Sequence, residues 1–457
     1  MISNVTAGAT RRGFMTAVLA AAPPRRLGLA TFRADVTPAT GEPLIWVTPT
    51  SKVEDPLWAK GVILDDGGAR YVLCAVDWCG LGGATHLQFR QKLAAAAGAE
   101  VSRVALQSVH QHTAPYIDGD AYRLLDKLPA PPLRMSARFL EEVTNRLAQA
   151  ARQAATRLEP FDRVGAGQAE VAQVASARRV FDQGKLLVRY SGSGKDPAMA
   201  ALPEGPIDPL LKTVTLARGS QPLVRLHYYA THPQTFCCDG RVSGDFVSAA
   251  REQVERREGV FQIYFTGCAG DVTVGKYNDG SLAARQALAR RLQQAMDAAI
   301  AATRLTPAGA VRWRTAELTL PPRPRASAAG PPSPEAAYRA AIPQAFAARP
   351  SPLAASALEL GQVRILHLPG EPMLAFQRFA QGLYPDRFVA VAGYGDISPG
   401  YLCTDRAFQE GGYEPSAANA GPGTEARVKR LIRQLLNAPA GPPPNRAATG
   451  REGSDHQ

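Results

Sequence analysis

Apolar and polar positions take on a globular pattern from Leu27, where LGLATFRADVTP reads as a strand running into a proline-terminated loop. Residues 59–80 hold two apolar runs separated by the turn sequence DDGG, which predicts two further strands. Residues 101–115, VSRVALQSVHQHTAP, form a β-rich run that ends in a polar loop. Residues 136–157 repeat apolar positions at helical spacing, with Ser136 placed as the N-cap. Strands and helices therefore alternate, as in layered α/β proteins.

The second half of the chain continues this alternation. Residues 222–236 predict a strand that leads, through a Ser-Gly-Asp cap, into an amphipathic helix over 246–259. The run VFQIYFTG then predicts a strand entering a glycine-rich loop, and residues 281–304 predict a long helix. Residues 362–383 indicate a strand, a tight turn and a helix, with Glu371 at the helix start. We expect an α/β fold with a mixed central sheet covered by helices.

The pattern predicts one large domain over residues 27–436. Within it, residues 320–353 are rich in proline, alanine and arginine, and they indicate a flexible excursion or a helical cap. Residues 1–26 contain TRRGFMTAVLAAAPP, which is typical of a twin-arginine export signal and predicts a periplasmic or extracellular protein. The proline-rich tail, residues 437–457, is predicted to be disordered.

Composition narrows the class of protein. With 457 residues and 45% hydrophobic content, the chain can bury a large core. The 52 basic and 40 acidic residues give a formal net charge of +12. The arginines are scattered without an aromatic-rich basic motif, so nucleic-acid binding is not predicted. No apolar run approaches the roughly 20 residues that span a bilayer.

The six cysteines form neither a CxxC zinc knuckle nor a dense disulfide framework. Most lie in apolar runs, and we expect them to be packed thiols. Cys237 and Cys238 are adjacent, and we expect them not to bridge each other, because that bond has strained geometry.

Histidine is rare in this chain, with seven in total, and two of them stand close together. His110 and His112 are two positions apart at the end of a strand-like run. In extended backbone such positions point the same way, so both imidazoles can face one site, and this spacing favours zinc. Either histidine alone would more often be an ordinary loop residue.

Three further residues are weaker candidates on spacing alone. His232 ends a second strand-like run, and Pro233 favours an extended conformation that aims the imidazole outward. Glu371 in LPGEP reads equally well as a helix-start carboxylate, and Tyr401 in SPGYL as a half-buried aromatic. No spacing rule connects these positions, so the residues alone leave a metal site as one interpretation among others.

A set of short motifs narrows that choice. SVHQHTAP, ATHPQTF followed by SGD, FTGCAGDVT, LPGEP and GYGDISPGYLCTDRAFQEGGYE occur in an order that resembles the neutral, non-lysosomal ceramidases, and RADVTP is similar to that family's opening strand. The resemblance extends from Leu27 to Leu436 as short matched segments separated by unmatched sequence. It corresponds to the N-terminal catalytic domain of that family.

The resemblance implies a Zn²⁺ site and its ligands. Two imidazoles and two oxygen ligands would hold the ion, supplied by His110, His232, Glu371 and Tyr401. Such a shell leaves room for water, and zinc there lowers the pKa of water and polarises a carbonyl.

The resemblance also implies catalytic roles. His112 would contact the reacting carbonyl or shuttle a proton, and Tyr413 would steady the oxyanion. In ARRV, Arg178 rather than Arg179 matches the active-site arginine. Thr273 stands where the family usually has a serine, so it keeps the hydroxyl but adds a methyl group.

These features predict a zinc-dependent amidohydrolase that cleaves a small-molecule or lipid N-acyl amide, ceramide-like in the first instance. HTAP replaces the family's usual HSGP, and the family's further C-terminal sandwich domain is expected to be missing. Other acyl amides therefore remain alternative substrates. The alternatives are a hydrolase of a related ester or carbohydrate amide, and an exported binding protein that kept the fold without catalysis. A lipid substrate would bring peripheral membrane contact, which the positive charge favours on anionic surfaces.

Overall fold

The computed structural model describes residues 26–323, 333–349 and 351–438. The export signal predicted for residues 1–26 lies outside the described residues except for Arg26, and so does the predicted disordered tail beyond residue 438. The domain boundaries therefore stay predictions.

The described residues form strands and helices that alternate along the chain. The strands are β1 (Leu27–Asp35), β2 (Lys52–Val53), β3 (Trp58–Asp65), β4 (Arg70–Val76), β5 (Gly80–Gly82), β6 (Val104–Ser108), β7 (Tyr116–Asp118), β8 (Glu159–Phe161), β9 (Arg163–Glu170), β10 (Ser176–Ala177), β11 (Arg179–Asp182), β12 (Lys185–Val188), β13 (Leu210–Arg218), β14 (Gln221–Tyr229), β15 (Arg241–Val242), β16 (Phe261–Thr266), β17 (Val272–Thr273), β18 (Arg304–Pro307), β19 (Arg312–Leu318), β20 (Leu353–Leu360), β21 (Val363–His367), β22 (Glu371–Pro372), β23 (Phe388–Ala392) and β24 (Tyr401–Leu402). The helices are α1 (Gly83–Ala97), α2 (Gly119–Leu125), α3 (Ala137–Ala155), α4 (Pro197–Ala201), α5 (Asp245–Glu258), α6 (Leu282–Ala301), α7 (Pro334–Ala348), α8 (Leu374–Gly382), α9 (Asp405–Glu410), α10 (Tyr413–Ala417) and α11 (Thr424–Leu436).

Three mixed sheets carry the fold, with strand orders β6-β4-β3-β1-β8, β16-β14-β13-β9-β18 and β19-β20-β21-β23. Each contains one parallel pair joined by a helix: β4 and β6 by α1, β14 and β16 by α5, and β21 and β23 by α8. The expected α/β class in a single domain is confirmed. The mixed sheet is divided among three sheets rather than gathered in one, because each strand–helix–strand unit pairs within its own sheet.

The ends of the parallel strands meet at one place. The Gly393 amide after β23 donates to the Thr266 carbonyl at the end of β16 (2.9 Å), and Ser108 of β6 donates to the Tyr394 carbonyl (2.7 Å). The Thr266 hydroxyl donates to the Val109 carbonyl at 2.6 Å. The carboxyl ends of all three pairs are thereby joined, and in α/β folds such ends are where ligands bind.

Burial on both faces explains why the strands read as continuous apolar runs. On β3, Val62 and Leu64 face the core between the sheets, and Ile63 faces the layer of α1 and α3. Ile365 and Leu366 of β21 divide in the same way between that central core and the layer of α8 and α11. Successive side chains of a strand point to opposite faces, so each sheet is filled on two sides.

A buried ion pair joins the first sheet to α5. Both oxygens of Asp77, at the end of β4, accept from the Arg251 guanidinium at 2.8 Å, and neither side chain is more than 1% exposed. Asp77 also accepts from the Trp58 amide at 3.0 Å, so it fixes β3 as well. Removing one partner would leave the other charge buried.

The local structure agrees with several of the sequence predictions and contradicts one. Ser136 caps α3 by accepting from the Phe139 amide at 3.1 Å, as predicted. The stretch 320–353 contains α7, the helical alternative, as far as it is described. The expectation that Cys237 and Cys238 do not bridge is wrong, because the two form a disulfide at an exposed turn. The remaining cysteines are buried thiols, as expected: Cys74, Cys79, Cys268 and Cys403. No described helix combines the length and apolar character needed to cross a membrane.

Candidate metal centre

The four predicted ligands lie at the joined strand ends, two of them in loops and two in a short pair of strands. His110 follows β6, and His232 follows β14. Glu371 and Tyr401 are register partners in the two-stranded parallel pair of β22 and β24. Three separate units of the fold therefore supply the ligands, which is why no sequence spacing connects them.

Three of these side chains converge on one point. Oε2 of Glu371 lies 3.2 Å from Nε2 of His110 and 3.4 Å from Nε2 of His232. The three atoms lie within 4.8 Å of one another, and all three residues are buried. Two imidazole nitrogens and a carboxylate oxygen form a common donor set for a transition metal.

Backbone carbonyls fix the orientation of both imidazoles. Nδ1 of His110 lies 2.6 Å from the Cys79 carbonyl oxygen, and Nδ1 of His232 lies 2.7 Å from that of Ala269 and 3.0 Å from that of Val272. A carbonyl can only accept, so each Nδ1 carries a proton and donates it there, and Nε2 is the ring nitrogen that faces Glu371. This is the second-sphere arrangement of metal-binding histidines.

The electrostatics of the three residues fit a cation. Burial lowers the pKa of His232 to about 4, so its ring is neutral at pH 7. Burial would raise the pKa of Glu371, but His110 and His232 outweigh it and hold the pKa well below its usual range. Neither Nε2 of His232 nor Oε2 of Glu371 has a hydrogen-bond partner among the described residues. A buried carboxylate oxygen that faces Nε2 of both histidines and has no hydrogen-bond partner suits a divalent cation.

Tyr401 lies beside this cluster. Its ring is stacked near that of His232, with centroids 6.5 Å apart, and its hydroxyl accepts from Nη1 of Arg178 at 3.0 Å. Burial raises the pKa of Tyr401 well above its usual value, with Arg178 opposing that shift and Glu371 adding to it. The phenol is thus neutral and borders the carboxylate.

The two neighbouring arginines of ARRV share the buried carboxylate of Glu414, which lies 3.7 Å from Nη1 of Arg178 and 3.1 Å from Nη1 of Arg179, but differ in their other partners. The Arg178 guanidinium lies over the rings of Tyr401 and Tyr413, at 5.6 and 5.3 Å from their centroids. Arg179 pairs in addition with Glu410 at 2.9 Å, away from these rings. Arg178 is therefore the arginine that the structure places with the predicted site residues, and Tyr413 lies with it.

His112 also reaches the cluster, but not by the predicted geometry. Its Nε2 lies 3.3 Å from that of His110. His110 has a φ of +76°, so the backbone is not extended there and the argument from alternating strand positions is wrong. A left-handed turn, not strand alternation, brings the two rings together. His112 is half-buried, and its Nδ1 has no partner among the described residues.

Thr273 is placed by the loop that holds His232. It pairs with Ser176 across β10 and β17, next to Val272, whose carbonyl binds the His232 ring. Thr273 is fully buried, and its hydroxyl has no partner within the described part of the chain. The hydroxyl is therefore free to bind another group, although its role stays a prediction.

The predicted position of Glu371 at a helix start is wrong. Helix α8 begins at Leu374, and its amide is bound by Oδ1 of Asp271 at 2.7 Å. Glu371 lies in β22, where strand pairing with Tyr401 turns its carboxylate toward the histidines. Asp271 takes the position next to the free amides, and burial raises its pKa to about 6.

Sequence reasoning missed Tyr394 and Cys79. The Tyr394 ring is stacked on His110 with centroids 4.3 Å apart, and its buried hydroxyl has no partner among the described residues. Its signal was its place in GYGDISPGYL, seven positions before Tyr401. Cys79, His110 and His112 make a second donor group. Burial raises the pKa of the Cys79 thiol well above its usual value, which makes it a poor ligand beside the carboxylate set.

Comparison with known proteins identifies the fold. No protein-family model and no curated protein matches the chain. Among solved structures, it is similar to the neutral ceramidase from Pseudomonas aeruginosa, with a TM-score of 0.69 and 17% identity over 90% of this chain and 74% of that one. A ceramidase complexed with C2 gives the same TM-score and coverage at 16% identity. This chain therefore has the fold of neutral ceramidase, as the motifs implied.

Proposed function

We propose that this protein belongs to the neutral ceramidase family and is a zinc-dependent amidohydrolase that cleaves a ceramide-like N-acyl amide. The observation that carries this proposal is the convergence of Nε2 of His110, Nε2 of His232 and Oε2 of Glu371 at the strand ends of a ceramidase fold. Tyr401, whose strand pairs with that of Glu371, would supply the fourth donor. Zinc held there supplies a Lewis acid that polarises the amide carbonyl and lowers the pKa of water.

His112 is the residue suited to move a proton. Burial, and then the neighbouring histidines, hold its pKa well below 6.5, so the ring is neutral. Its Nδ1 has no partner among the described residues and can take up the proton released as water attacks. The same proton then passes to the amide nitrogen, and the amine leaves.

Arg178 and Tyr413 are suited to stabilise negative charge. Arg178 is buried, permanently charged and held by Tyr401, so it needs no reorganisation as charge develops on the former carbonyl oxygen. Tyr413 stands next to it and offers a phenol hydrogen. Burial raises the pKa of Tyr413, which keeps that hydrogen in place.

The proposal is tested by hydrolysis of a matched substrate panel. N-acylsphingosine, N-acyl amino acids, an N-acyl amino sugar and the corresponding esters are incubated with the zinc-loaded, the chelated and the re-metallated protein. Release of fatty acid from amides only in the two zinc-loaded samples supports the proposal. Release from esters alone would favour the ester hydrolase, and release from none would favour the binding protein.

Matched variants connect the activity to the site. His110→Ala should abolish release, since it removes a ligand. His227→Gln alters another buried histidine, on β14 and outside the cluster, and should retain activity. Equal losses in both would point to a general folding defect.

Export and membrane contact are further parts of the proposal. The arginine pair at positions 11 and 12 supports export by the twin-arginine route. Fractionation of cells that express the full chain, with and without both arginines changed to lysine, tests it. Retention of only the lysine variant in the cytoplasm would support export, and equal distribution would exclude this route.

A further inference from the structure

A row of aromatic rings runs from the metal centre to the surface. The His232 and Tyr401 rings have centroids 6.5 Å apart, Tyr401 and Tyr413 5.8 Å, and Tyr413 and Tyr190 5.8 Å. Exposure rises along the row: Tyr401 is 6% exposed, Tyr413 is half-buried and Tyr190 is 56% exposed. The rings are therefore in contact from the exposed Tyr190 to the buried His232.

The segment around Tyr190 is tightly held. Arg189 is fully buried, and its guanidinium donates to five carbonyl oxygens, those of Ala177, Met199, Leu202, Pro203 and Glu204. Nζ of Lys276 binds one further carbonyl of the same loop, that of Ala200, and shares the Leu202 carbonyl with Arg189. Tyr190 is thus a large exposed ring on a backbone that is already ordered, so binding a ligand there costs little backbone entropy.

Tyr190 and Tyr413 belong to one rim. The hairpin of β11 and β12 that precedes Tyr190 packs on Gly412, directly before Tyr413. A Cβ added at Gly412 would lie 2.8 Å from Nη1 of Arg179 and 2.9 Å from Cδ2 of Leu186. This close approach fixes the spacing between the hairpin and the Tyr413 turn.

The shape of the row indicates its ligand. Successive tyrosine rings meet edge to face, at 75° and 79°, so they form a narrow stepped wall rather than the flat face on which a sugar ring stacks. Leu186 of the hairpin lies against Gly412, the residue before Tyr413. A flexible hydrocarbon chain can follow such a wall and bury apolar area along it.

We propose that Tyr190 is a specificity-determining residue that, with Tyr413, contacts the hydrocarbon chain of the substrate. This inference rests on the proposed function, since it assigns the acyl part of the N-acyl amide to the aromatic row. Longer chains reach Tyr190, and short chains do not. Tyr190 therefore sets the preference for chain length.

The test separates binding from turnover. Binding of saturated fatty acids from butyrate to laurate, all below their micelle concentrations, is measured by calorimetry on the zinc-loaded full chain. In the wild type, affinity should rise by up to about fourfold per methylene buried. Tyr190→Ala should weaken laurate binding about tenfold and change butyrate binding less than twofold.

Two control variants keep the test specific. Tyr190→Phe preserves the ring and should keep wild-type binding. Phe181→Ala removes an exposed ring from the hairpin that precedes Tyr190, 49% exposed and without a ring contact to the row among the described residues, and should also keep wild-type binding. Unchanged laurate binding in Tyr190→Ala, or equal losses for both acids, would overturn the inference.

The proposed function can fail separately. If the wild type binds longer fatty acids more tightly, if Tyr190→Ala loses this dependence, and if no amide is cleaved, the role of Tyr190 stands and the proposed hydrolase is refuted. A wild type that cleaves amides without any chain-length slope would refute the role of Tyr190 alone.

Discussion

Oε2 of Glu371 lies 3.2 Å from Nε2 of His110, with no hydrogen bond to it, and the ring's other nitrogen is already bound to a carbonyl. The two atoms are placed to share a cation rather than a proton. This relationship makes Glu371 the residue whose charge matters most for metal affinity.

Glu371→Gln should weaken zinc binding by at least about 100-fold, because an amide is a poor substitute for an anionic ligand. Competition with a zinc-chelating dye measures the affinity. Glu410→Gln changes a carboxylate paired with Arg179 and should leave affinity unchanged. Wild-type affinity in Glu371→Gln would show that the ion does not bind here.

Arg178→Lys should lower kcat/KM by about 10- to 100-fold, since lysine cannot keep both the contact with Tyr401 and a planar charge over Tyr413. Arg179→Lys is the matched control, because its guanidinium faces Glu410 and Glu414. It should stay within about threefold of the wild type. Equal losses in the two variants would contradict the assignment of Arg178 to the site.

Thr273→Ser should keep activity within about threefold of the wild type, and Thr273→Val should lower it by about 10- to 100-fold. The reason is that the buried hydroxyl has no other partner among the described residues and is free to position water or substrate. Intact-mass measurement during turnover should show no acyl adduct. An adduct that disappears in Thr273→Val would identify the hydroxyl as a nucleophile instead.

His227 is predicted to make stability depend on pH. It is fully buried between the Thr213 hydroxyl (2.9 Å) and Gln262 (2.7 Å), and burial lowers its pKa from 6.5 to about 4. Between those values the unfolded chain binds more protons than the folded one, so stability rises with pH from 4 to 6.5 and is lost on acidification. The full effect is about 3 kcal/mol. Urea unfolding of His227→Gln should show a shallower pH slope, and an unchanged slope would refute this account.

Asp77→Asn should lower the free energy of unfolding by about 3 kcal/mol, because it leaves the Arg251 charge buried with a weaker partner. Asp297→Asn breaks an exposed pair with Arg257 and should cost less than about 1 kcal/mol. Chemical denaturation of both variants decides whether the pair joining β4 to α5 bears on stability. Similar small losses would show that it does not.

Local signals predicted the elements well. The Ser136 cap, the DDGG turn and the helical spacing of residues 281–304 each depend on neighbours in the chain, and each has its counterpart in the structure. The division into three sheets could not be predicted, since strand pairing is a long-range choice that apolar runs buried on both faces leave open.

The residues of the candidate site could be predicted mainly from the motifs that resemble those of neutral ceramidases. His110 and His232 are brought together by different sheets, and no periodicity encodes that contact. Tyr394 was missed because an aromatic residue after an apolar strand usually predicts core packing. Glu371 was misplaced because a carboxylate before a helix normally caps it, whereas Asp271, about a hundred positions earlier, takes that place.

The most direct test of the metal centre is a crystal structure of the zinc-loaded protein with anomalous diffraction at the zinc edge. We expect one anomalous peak bonded at about 2.0–2.2 Å to Nε2 of His110, Nε2 of His232 and a Glu371 oxygen. No peak, or a peak held by Cys79, His110 and His112, would contradict this expectation.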